Sequence, residues 1–150
     1  MDPDFWIKLL VAAVCGSIIG FERQLSGKPV GIRTSILVCL ATMTFIDLSQ
    51  SLDQETGTAR VLGQIVTGVG FLGAGVIMAK EGLIIGVTSA SVVWILAAVG
   101  SSIGLERYGT ALATSVATVL VLTGVQRLED TVSVFRKGVH RRRRPDQDEF

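Results

Sequence analysis

Three stretches of this chain run without a charged residue for the length a helix needs to cross a bilayer. Val61–Ala79 spans 19 residues, Gly82–Leu105 spans 24 and Tyr108–Gln126 spans 19. A hydrocarbon core about 30 Å thick takes about 20 residues of helix. Backbone polar groups in lipid must find partners inside their own segment, which makes helix the state open to such runs. The charge distribution agrees. Residues 1–126 hold 15 of the 27 charged residues and residues 127–150 hold the other 12, whereas a soluble domain spreads roughly a quarter charged residues over its whole surface. The pattern excludes a soluble enzyme, a disordered chain and a secreted disulfide scaffold.

Two further spans carry one charge each. Phe5–Phe21 contains Lys8 near one end, where a long side chain snorkels to the interface, and Thr34–Leu52 contains Asp47. The reading is an all-α polytopic membrane bundle of five transmembrane helices, at residues 5–21, 34–52, 61–79, 84–104 and 109–126. Residues 1–126 form the membrane domain; residues 127–150 form a juxtamembrane basic segment and a disordered tail. With the N-terminus outside and the C-terminus cytoplasmic, 11 basic residues fall inside and 3 outside, the asymmetry that sets topology. Trp6 and Tyr108 then lie at outer helix ends. The first span lacks a basic leader and a small-x-small cleavage site, so it is expected to be retained.

Catalytic parts are missing. His140 stands alone in the basic tail, Cys15 and Cys39 both lie within spans, and no nucleophile–base set or metal-ligand cluster exists in the sequence. The expectation is no enzyme activity, no cofactor and no bound metal. The glycines are more informative. At helical period, Gly63, Thr67, Gly70 and Ala74 form one stripe of small residues on the third span, the kind of surface that lets helices approach in lipid. Gly16/Gly20, Gly82/Gly86 and Gly100/Gly104 add three GxxxG pairs. The fragment Gly68-Val-Gly70-Phe-Leu-Gly73 matches a dinucleotide-binding pattern only in letters, because it lies inside an apolar run without a preceding strand.

Residues 16–23, GSIIGFER, echo residues 100–107, GSSIGLER, with six of eight positions identical. The two copies end helices of opposite direction, as an inverted-topology repeat matching helices 1–2 to 4–5 around helix 3 would require. Such repeats build secondary transporters, and Asp47, Gln64 and Thr88 are the candidate ion path. Asp47 has a plainer role as the partner of Arg60. Mg²⁺ binds oxygen and gives up its waters reluctantly, so a site for it needs clustered carboxylates; the spans offer none. In the loop of residues 22–33, Glu22, Arg23, Lys28 and Arg33 are candidates for contact with a lipid headgroup or a partner protein. Leu128, Val132, Phe135 and Val139 recur at helical spacing beside Arg127, Arg136 and Lys137, which reads as an amphipathic helix on an anionic leaflet. Five acids among the last 24 residues argue against nucleic acid as a partner.

Several stretches resemble the MgtC/SapB family of membrane proteins: Glu22-Arg23-Gln24, Gly31-Ile-Arg-Thr34, the glycine-rich run from Gln64 to Ile77, and Gly86-Val-Thr-Ser-Ala-Ser-Val-Val-Trp94. The resemblance covers residues 5–126 and is most specific in the glycine-rich run. Many members have His after the Arg-Thr pair, where this chain has Ser35. Many also continue into an ACT-like soluble domain, and the expected match here is to the transmembrane part alone. The resemblance implies an inner-membrane protein linked to growth in low Mg²⁺ and to survival inside host cells. Members have been labelled Mg²⁺ transporters. The family picture that fits these residues better is regulation of membrane energetics through contact with membrane proteins, ATP synthase among them. Membrane lipids and a second copy of the chain complete the expected partners. The alternative is a cation transporter built on the inverted repeat.

Overall fold

The computed structural model describes residues 3–52, 56–80 and 83–131. Five helices, each long and apolar enough to cross a membrane, make up nearly all of it: α1 (Pro3–Leu25), α2 (Ile32–Leu52), α3 (Thr56–Val76), α4 (Val87–Gly104) and α5 (Tyr108–Thr131). Between α3 and α4 two short strands, β1 (Met78–Lys80) and β2 (Leu83–Ile85), pair antiparallel with Met78 opposite Ile85 and Lys80 opposite Leu83. The five expected spans are present, but the third is shifted, starting at Thr56 and ending at Val76, and the fourth is shorter than its charge-free run, starting only at Val87. The hairpin takes residues 78–80 and 83–85. The reason lies at Gly86, which caps α4 with φ +92°; a Cβ there would strike the Val76 carbonyl oxygen. Gly86 therefore serves a tight return of the chain, and the expected Gly82/Gly86 packing pair is not one. Gly82 lies outside the described residues.

Residues 1–119 form one compact unit and residues 120–150 a second, of which 120–131 are described and are helical. In the first unit α2 is flanked by α1 and α4, while α3 packs on α4 and along part of α2. Glycine sets these distances. A Cβ on Gly16 would sit 2.8 Å from Ile36 Cα, and one on Gly20 would sit 2.6 Å from Ile32 Cα. On the other side of α2, a Cβ on Gly100 would meet Thr42 Oγ1 and the Cys39 carbonyl oxygen, and one on Gly104 would lie 2.8 Å from the Met43 carbonyl oxygen. Both GxxxG pairs thus bring backbones together at α2, where dispersion supplies the attraction. Ile19, Cys39, Met43, Ile46, Leu96 and Ile103 fill the interior. Of the apolar stretch of α4, 61% is buried, against 17% for α3 and 11% for α5, so the last two present most of their surface outward.

The inverted repeat is not realised as helix pairs 1–2 and 4–5. The glycine face of α4 goes to α2 rather than to α5. The echoed sequences also diverge in conformation. In α1, Glu22 is helical and the helix runs on to a Gly27 cap with φ +61°, closed by Lys28 N–H to Arg23 O at 3.0 Å and Gly27 N–H to Gln24 O at 3.1 Å. In α4 the equivalent Glu106 is itself the left-handed cap, φ +62°, closed by Arg107 N–H to Ser102 O at 2.8 Å. Both ends are Schellman motifs, but only the first has glycine at the left-handed position.

Candidate functional site

Among the described residues two charged clusters tie the bundle, one at each end. At the first, Lys8 of α1 is buried with its ammonium 2.7 Å from Asp47 Oδ1 of α2 and 3.0 Å from Glu106 Oε1 of the α4–α5 turn. Lys8 does not snorkel, and Asp47 does not pair with Arg60, which is exposed on α3. Lys8 reaches Asp47 from the adjacent helix within the bundle, whereas the Arg60 side chain is exposed. The left-handed backbone of Glu106 coincides with a carboxylate held on Lys8.

At the other end Glu22 and Arg23 are buried, not presented to lipid or a partner. Arg23 Nη2 donates to Ser89 Oγ at 3.0 Å, in the first turn of α4, and its Nη1 lies 3.7 Å from Glu22 Oε2. Ser26 donates to Glu22 Oε1 at 2.9 Å. Glu22 Oε2 and Arg23 Nε have no hydrogen-bond partner. Lys28 and Arg33 are exposed. The four loop residues therefore split into an inward pair that fastens α1 to α4 and an outward pair free to meet another molecule. Ser35 is fully buried where α1 and α2 are closest, its hydroxyl donating to the Val30 carbonyl at 3.4 Å.

The small-residue stripe packs inside the chain only in its second half, where Gly70 and Ala74 border α4. Gly63, Thr67 and Ala74 are exposed, and a Cβ on Gly63 would meet nothing within 4 Å. Gly70 is half-buried, 3.9 Å from Trp94 by the same measure, and with Gly73 and Ala74 it lines a groove of about 530 Å³ against Ala90, Ser91 and Trp94 of α4. Periodicity found a stripe, but a surface of small apolar residues is equally at home against lipid. The candidate ion-path residues are not brought together either. Asp47 belongs to the Lys8 cluster, Thr88 is exposed at the opposite end of α4, about 27 Å of helix away, and Gln64 is exposed on α3. Gln64 does line an apolar groove of about 620 Å³ between α2 and α3. Of the expected tail helix, Val132, Phe135 and Val139 lie outside the described residues. Sequence reasoning missed the Lys8–Asp47–Glu106 and Arg23–Ser89 contacts, which join positions 39 to 98 residues apart; nothing in local spacing announces them.

Comparison with known proteins places this architecture. The chain is 37% identical over 148 residues to "Putative magnesium transporter YhiD" of Escherichia coli K12, covering 93% of this chain and 68% of that protein. It is 40% identical over 117 residues to Protein MgtC of Salmonella typhimurium, covering 77% of this chain and 48% of that protein. It is 35% identical over 122 residues to Protein SapB of Bacillus subtilis, covering 75% of this chain and 53% of that protein. The chain thus spans from about half to two thirds of the length of these relatives. No solved structure matches it. A family model for the MgtC family matches residues 9–131, from within α1 to the end of α5, and so takes in Asp47, Glu106 and the Arg23–Ser89 contact. The chain is a multi-pass membrane protein and belongs to the MgtC family.

Proposed function

We propose that the chain is a non-enzymatic regulator in the bacterial inner membrane, supporting adaptation to low Mg²⁺ by contact with other membrane proteins. The observation that carries this reading is the Lys8 ammonium seated between Asp47 and Glu106. The carboxylate best placed to receive a cation is already neutralised by the chain itself. The outward faces of α3 and α5, in contrast, are broad, apolar and rich in small residues, the surface that helix–helix contact uses. ATP synthase and a role inside host cells enter through the family resemblance. The name of the Escherichia coli relative favours the second reading, a cation transporter.

Purified chain in liposomes loaded with a Mg²⁺-sensitive dye separates the two. The expected result is no Mg²⁺ entry above protein-free liposomes; sustained, saturable uptake overturns the regulator. The orientation has its own test. Reporter fusions after Gly57 and after Phe150 are expected to report opposite sides, the first outside and the second cytoplasmic. The reverse assignment would discard the basic-residue argument, and the same side for both would discard the five-span topology.

A further inference from the structure

The groove between α2 and α3 has a direction. On α2 its wall includes Leu37, Ala41 and Phe45, spaced four residues apart and exposed. Arg33 lies one turn before Leu37 on that same face and is exposed too. The wall from Thr34 to Phe45 covers about 16 Å of helix, close to half of a hydrocarbon core of about 30 Å. That is the depth of one leaflet. A partner helix would need the full depth, whereas acyl chains need only half and require an anchor for their headgroup at the shallow end. The exposed charges at that end, in the α1–α2 turn and the first turn of α2, are Lys28 and Arg33, both positive. Arg60 marks the opposite mouth, but that end also carries Asp47 and Glu106.

We propose that this groove is a binding site for an anionic phospholipid, with its acyl chains against Leu37, Ala41 and Phe45 and its phosphate on the Arg33 guanidinium, aided by Lys28. Arginine suits the task because its planar fork holds two phosphate oxygens at once. The site makes a lipid a bound ligand of the bundle, and it stands whether or not the chain moves a cation.

The test uses the full chain, stripped of lipid in detergent and then offered phosphatidylglycerol or phosphatidylcholine with identical acyl chains. Bound lipid is counted by native mass spectrometry. Phosphatidylglycerol is expected to be retained about fivefold or more over phosphatidylcholine. Arg33→Gln removes that preference, Arg33→Lys keeps part of it, and Arg60→Gln leaves it intact. Ala41→Trp, which fills the groove, lowers retention of both lipids. Millimolar inorganic phosphate does not displace the lipid, because the acyl chains supply part of the affinity. Equal retention of the two lipids by the unaltered chain overturns the site, as does unchanged preference in Arg33→Gln, loss of preference in Arg60→Gln alone, or displacement by phosphate. Arg33 is exposed, so its variants keep the fold and decide the matter even where Ala41→Trp does not accumulate.

Discussion

Gly100→Ala is expected to cost the bundle about 3 kcal/mol or more, the upper end of what overpacking a well-filled site costs. The added methyl would meet the Cys39 carbonyl and the Thr42 hydroxyl, and neither can retreat. The carbonyl is helix backbone. The hydroxyl is committed to the Val38 carbonyl at 2.9 Å and the Cys39 carbonyl at 3.3 Å. Relief requires α4 to move off α2 along the seam they share, with loss of contacts at Gly104 and Leu96. Gly63→Ala makes the matching control, since it adds the same methyl where nothing lies within 4 Å. Thermal unfolding in detergent and the yield of monodisperse protein are the measurements. A Gly100→Ala protein as stable as Gly63→Ala would mean that α2 and α4 do not approach at backbone distance.

The second large effect is expected at Asp47. Breaking a fully buried ion pair by removing one partner costs about 3–5 kcal/mol. The Lys8 side chain is 5% exposed but that of Asp47 is 27% exposed, so Asp47→Ala should fall below that range, at about 2–3 kcal/mol. Glu106, largely exposed, retains Lys8 only weakly. The informative variant is the double one. Lys8→Met with Asp47→Leu removes both charges and is expected to recover most of the loss, because an apolar pair of similar size needs no desolvation. Failure of the double variant to recover would show that Lys8 is held in place for a task other than pairing.

The five helices could be read from the sequence because lipid selects on length and hydropathy alone, and both are local. What lay between helices was less legible. The strands at residues 78–80 and 83–85 are mostly apolar on either side of the charges of Lys80 and Glu81, so they read as ends of the neighbouring helices, and the positive φ at Gly86 is what separates the two readings. Gly16, Gly20, Gly100 and Gly104 were recognisable as close-packing residues, yet their common partner was not, since a GxxxG pair states how near a helix comes and not to which helix. The α3 stripe shows the same blindness from the other side: in lipid an apolar face needs no protein neighbour. Glu22 and Arg23 looked like loop charges because the span was expected to stop at residue 21. With α1 running to Leu25 they are one turn deeper, where Ser89 meets them. Lys28, beyond the end of α1, and Arg33, in the first turn of α2, were legible as outward charges because they lie at the edge of the spans.

The position of α2 between α1 and α4 also sets an order of assembly during synthesis. Its seam with α1 joins neighbours in the chain across the short turn at residues 26–31, so that hairpin closes as soon as both helices have left the ribosome. Its other seam waits. Cys39 meets the Leu96 carbonyl 57 residues later, and Lys8 gains Glu106 only after α4 is complete. Until then the membrane holds a nascent chain whose second seam, with the Thr42 hydroxyl and the Cys39 thiol, faces lipid. A stall or truncation between α2 and α4 would leave that seam bare, and it is there that membrane proteases and insertion factors would first meet an unfinished molecule.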